Sequence, residues 1–102
     1  MKIMDIHGTW KNKENGSNLI ICEIPNNGDH YRIDFFDSNS KTTISDKKVL
    51  IVNYENKFIL NSTNFGDDSA YILFRNDNEI VLNFKGKQTI FNLLSKRVEF
   101  LN

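Results

Sequence analysis

Two Asn-Gly pairs, Asn15-Gly16 and Asn27-Gly28, constrain this chain more than any other feature. Asn-Gly accepts the positive φ that a tight hairpin turn demands, and each pair separates runs of β-like composition. They mark out strands over residues 9–13, 18–24 and 30–37, with Pro25 ending the second. In the third, Tyr31, Ile33 and Phe35 alternate with His30, Arg32 and Asp34, the period of a strand with one buried face.

The same punctuation continues to the C-terminus. Asp37-Ser38-Asn39-Ser40 is a loop by turn chemistry, followed by a weak strand at 41–45 and a strong one at 49–54. Glu55-Asn56 leads into 58–60. The longest connection runs from Asn61 to Ser69 and holds Gly66, Asp67 and Asp68. Strands at 70–75, 80–84 and 88–94 follow, turned by Asn76-Asp77-Asn78 and Lys85-Gly86-Lys87, and 98–101 closes the chain. Ile3, Ile6 and Trp10 recur at helical spacing, so a short helical turn is expected to lead into the first strand and cover one end of the sheet. No linker or repeat interrupts the 102 residues, which read as one domain. Eight to nine short strands with tight turns predict an all-β fold, an up-and-down antiparallel meander closed into a small barrel of about eight strands. Closure removes sticky sheet edges, and so small a barrel is expected to be filled by side chains, with little or no cavity.

Gly8-Thr9-Trp10, with the only tryptophan of the chain, stands at the head of this meander. The Gly-x-Trp pattern resembles that of the lipocalins and the wider calycin group. The resemblance implies a barrel whose floor is plugged by Trp10, with a basic residue from the last strand stacked across the ring: Arg97, or Lys96 as runner-up. The Thr-Asp-Tyr motif of the lipocalins is missing and the chain is shorter than theirs, which argues against a deep apolar cup. In size the chain is also similar to the staphostatins, small barrels that inhibit cysteine proteases through a glycine-containing loop. By that resemblance Asn64, Phe65, Gly66 and Asp67 become a candidate partner-binding loop, although the staphostatin loop lies nearer the C-terminus.

Composition excludes more than it identifies. Lys+Arg and Asp+Glu both number 13, so the net charge is zero, and the basic residues are scattered; a general nucleic-acid binder is disfavoured. The single Cys22 forms no internal disulfide and shares a face with Ile20 and Ile24, which reads as a small buried hydrophobe rather than a nucleophile. His7 and His30 have no metal-ligand spacing, and Asp67-Asp68 reads as a solvated loop tip. Neither a cofactor nor a metal site is expected, nor catalytic residues. The N-terminus lacks the long apolar stretch of a signal peptide, and no segment reaches the ~20 apolar residues of a membrane helix. A cytoplasmic protein is the expectation, secreted only if a signal peptide was removed.

One pattern points to binding. Several strands are apolar on both faces: Val49 and Ile51 beside Leu50 and Val52, Phe91 and Leu93 beside Ile90 and Leu94. The surplus must be covered by terminal segments, a second copy or a partner. The expected function is therefore a non-enzymatic binding protein. Its candidate small-ligand contacts are Tyr31, Phe35, Tyr54, Phe58, Phe65 and Tyr71, around an apolar ligand at the mouth opposite Trp10. The alternative is a protein inhibitor or immunity-type protein that uses the loop from Asn61 to Ser69.

Overall fold

A computed structural model describes residues 6–24 and 30–98, Asp67 and Asp68 by backbone alone. Eight antiparallel strands follow one another around a closed barrel: β1 (Gly8–Lys11), β2 (Asn18–Glu23), β3 (His30–Asp37), β4 (Thr42–Tyr54), β5 (Lys57–Ser62), β6 (Gly66–Asn76), β7 (Glu79–Phe84) and β8 (Lys87–Ser95). Every strand pairs with its chain neighbour, and β8 returns to β1 through Asn92↔Lys11 and Leu93↔Trp10. The up-and-down barrel expected from the turn spacing is the fold. Asn27-Gly28, Ile3 and the final strand beyond Val98 fall outside the described residues; Val98 itself lies in no strand.

The strands differ from the sequence reading at two places, both through local irregularity. Segments 41–45 and 49–54 are not separate strands but the single β4. Between Ile33↔Asp46 and Tyr31↔Val49, β4 advances three residues while β3 advances two, a bulge that shifts the alternation by one. Ile44 before it and Val49 and Ile51 after it thus all pack on the core, although a single period of two cannot hold all three. The connection 61–69 is likewise no long loop. Ser62 pairs with Gly66, leaving a turn of Thr63, Asn64 and Phe65. Gly66 takes φ 87, which L side chains rarely adopt.

Lys85 and Gly86 both have positive φ (52° and 77°), the requirement of a two-residue hairpin turn. Gly16 at φ 81 does similar work in a wider β1–β2 turn, where Asn12 N–H donates to Ser17 O at 2.8 Å.

Two aromatic groups shut the barrel. At the end where β1 begins, Trp10 is fully buried and its Nε1–H donates to the Ile6 carbonyl at 3.0 Å. Gly8 makes room there: a Cβ on it would stand 2.8 Å from Ser95 O and 3.3 Å from Leu93 Cδ1, and its φ is 148°. Lys96 Nζ lies 6.0 Å from the Trp10 ring centroid. Arg97, the expected partner, acts instead through its backbone, its carbonyl accepting the Thr9 hydroxyl at 2.8 Å. Toward the other end, Phe35 of β3 meets Phe84 of β7 and Phe91 of β8 at 6.1 and 6.0 Å between centroids, and Phe65 meets Phe84 at 5.6 Å. Neither β7 nor β8 is a neighbour of β3, so these edge-to-face contacts reach across the lumen.

Removing the floor should therefore be costly. Trp10→Ala is expected to lose about 3–5 kcal/mol in chemical denaturation, the range for large buried aromatics. Gly8→Ala, which drives a methyl into the Ser95 carbonyl, should lose roughly 1–3 kcal/mol. Lys96→Ala, which removes an exposed contact at the limit of cation–π range, should stay within about 1 kcal/mol.

Candidate functional site

The residues expected to hold a small ligand fall on both sides of the barrel wall. Tyr31, Phe35 and Phe58 point inward and belong to the hydrophobic core, as does Phe65. Tyr71 faces out from β6, its ring under Lys57 Nζ at 4.6 Å, and Tyr54 lies at the end of β4, 59% exposed. The mouth opposite Trp10 is occupied by Phe35, Phe65 and Phe84. The alternation of β3 correctly places Tyr31 and Phe35 on one face. It says nothing of what fills the space they face.

The proposed partner loop is a braced turn. Phe65 is 1% exposed and cannot protrude, and its N–H donates to Ser62 Oγ at 3.0 Å. Asn64 is exposed, but its side-chain amide donates to Ser45 O at 3.1 Å and its backbone N–H to Asp46 Oδ2 at 3.3 Å. Asp46 Oδ1 also accepts Lys48 N–H at 3.1 Å, inside the β4 bulge. A carboxylate thus fastens the bulge to the β5–β6 turn, a role no sequence pattern signals. Burial alone would raise the Asp46 pKa, but hydrogen bonds from Lys48, Ser62 and Asn64 together outweigh it and hold the carboxyl below its ordinary value. The Asp67 side chain is outside the described residues.

Cys22 lies half-buried on the outer face rather than in the core, since its inward neighbours are Ile21 and, in register beyond it, Ile33. Burial is the main cause that pushes its thiol pKa up; Glu23 adds to this, against an opposing pull from Arg32. His7 Nδ1 accepts the Glu23 N–H at 3.3 Å. Among the described residues no three His, Cys, Asp or Glu side chains converge on a common point.

The surplus apolar side chains lie outside. Val52, Tyr54, Ile90 and Leu94 are 41, 59, 44 and 64% exposed. Register joins several of them into an outer band: Val52↔Ile59↔Tyr71, and beside it Tyr54↔Lys57↔Leu73↔Val81↔Ile90. Val81, between Leu73 and Ile90, is only 1% exposed although its face is the outer one.

At Ile90 the band reaches a break in the wall. β1 is four residues long and pairs β8 only between Asn92 and Ser95; Lys87 to Phe91 pair with β7 alone. The β1–β2 turn veers off here, and a groove of about 360 Å³ opens between Asn12, Lys13, Glu14 and Asn15 on one side and Lys87 to Ile90 with Asn92 on the other. Asn12 holds its rim. Its side-chain amide donates to Ile90 O at 2.8 Å, and its Oδ1 accepts the Glu14 and Asn15 N–H groups at 2.8 and 2.9 Å.

No family model matches the chain, and no curated protein or solved structure matches it. No helix among the described residues is long and apolar enough to cross a membrane.

The Asp46 staple has a pH signature. A folded pKa below the unfolded one stabilises the protein above the unfolded value, and that stabilisation fades as pH falls through the folded value. Asp46→Asn should be less stable than the parent at neutral pH in urea denaturation, and the gap should close below about pH 4, the ordinary aspartate range.

Proposed function

We propose that this protein is a non-enzymatic binding protein, lipocalin-like in architecture, that engages a protein partner on the outside of its barrel. One observation carries the reading: the lumen is filled from both ends, while Val52, Tyr54, Ile90 and Leu94 stand exposed on the wall. A barrel that carries a small molecule needs its volume inside and its polar surface outside. Here the arrangement is reversed. Exposed apolar side chains joined by register favour a partner with apolar surface of its own.

Two measurements test this. Oleate or retinol, titrated to millimolar total concentration, should leave Trp10 emission and the methyl signals of Ile21, Ile33, Leu60 and Leu82 unchanged. Saturable shifts at those methyls would put a ligand in the lumen and reject the proposal. On the outside, Val52→Asp combined with Tyr54→Ser should keep the melting temperature within a few degrees yet abolish capture of a protein that wild type retains from a lysate of the source cell. Equal capture by both would detach the apolar band from the function.

A further inference from the structure

Beside the groove, the edge of β8 is left without a neighbouring strand. In the Lys85-Gly86 hairpin, Phe84 and Lys87 are the first pair, so Lys87, Thr89 and Phe91 turn their backbone groups to β7. Gln88 and Ile90 turn theirs the other way, into the groove. The Ile90 carbonyl confirms this direction, since it accepts the Asn12 side-chain amide. No strand stands across from Lys87 to Ile90 on that side, because the β1 ladder begins at Asn92. Four residues of open edge span about 13 Å at the usual strand rise. Asn12 mimics a strand at one carbonyl only, which leaves the Gln88 N–H and C=O and the Ile90 N–H directed at the groove.

We propose that an extended, acidic peptide segment of the partner adds to this edge as a further strand, lying in the groove between β8 and the β1–β2 turn. The inference rests on the reading that the partner is a protein held on the outer wall. Main-chain hydrogen bonds to Gln88 and Ile90 supply strand addition, the mode by which open sheet edges take up peptides. Charge selects the sequence: Lys13 and Lys87 line opposite walls, and Glu14 is the only carboxylate among the lining residues. Both lysines are exposed, so they act as flanking charges on the peptide's side chains. Ile90, exposed on the outer face, offers an apolar side chain to a neighbouring residue of the added strand.

The probe is a blocked hexapeptide of alternating valine and glutamate, titrated into the ¹⁵N-labelled protein. Gln88 and Ile90 amide signals should shift saturably, and their hydrogen exchange should slow at least ten-fold. The same peptide N-methylated at alternate amides, which keeps the side chains but cannot pair, should bind at least ten-fold more weakly; so should a version with lysine for glutamate. Gln88→Pro removes only a donor outside the β7 ladder, so it should keep the wild-type melting temperature and lose binding. Should that variant unfold, the doubly charge-reversed K13E/K87E provides the independent reading, with weakened binding of the acidic peptide and improved binding of the basic one.

Several results overturn the proposal. Equal binding of the N-methylated peptide, or no binding of the parent peptide at millimolar concentration, rejects strand addition while leaving the outer-wall reading in place. Shifts at Val52 and Tyr54 instead of Gln88 and Ile90 do the same. Shifts confined to the core methyls reject both readings. Concentration-dependent dimerisation that broadens Gln88 and Ile90 and is abolished by Gln88→Pro would assign the edge to a second copy of this chain.

Discussion

The barrel depends on how its shortest strand is held. β1 has four residues, yet it must join β2 on one side and β8 on the other for the sheet to close. So little ladder cannot hold the closure alone; the floor supplies the rest. Gly8 lets the end of β8 approach to a distance that a side chain would forbid, and Trp10 fills the space beneath while its indole N–H is satisfied by Ile6. A buried indole gives both a large apolar area and a fixed direction, because its donor has a specific partner.

The brevity of β1 also has an opposite consequence. A strand long enough to pair with all of β8 would leave no groove and no open backbone at Gln88 and Ile90. The closure is firm at the floor and incomplete toward the other end, where Asn12 substitutes a side-chain amide for one missing backbone donor. The filled lumen and the incomplete wall therefore act in the same direction. With Phe35, Phe65, Phe84 and Phe91 packed across the interior, the proposed recognition rests on the exterior, on an apolar band and a strand edge.

Much of the frame was legible in the chain because it is set locally. Turn chemistry at Asn15-Gly16 and Lys85-Gly86, and the alternation in Tyr31-Ile33-Phe35 and Ile80-Leu82-Phe84, act within a few residues. The pattern of the chain misleads where a local rule is overruled from outside. The bulge in β4 breaks the period of two, so one strand read as two; it is held by Asp46, whose partner Asn64 is eighteen residues away. The stretch 61–69 has the composition of a loop, because Gly66, Asp67 and Asp68 are turn formers. Pairing of Ser62 with Gly66 and burial of Phe65 make it a hairpin. Lys96 rather than Arg97 lies over Trp10, a difference of one position that no pattern in the chain resolves.

By itself the sequence determined the fold class, the order of the strands, the inward face of most of them and the excess of apolar residues, since these follow from periodicity and turn preference along the chain. Only the tertiary structure decided where that excess lies, which aromatic rings meet across the lumen, and that β8 keeps an open edge. The reason is physical. Contacts across the lumen and the length over which β1 meets β8 depend on how far the closed sheet is sheared, a property of all eight strands together rather than of any single segment.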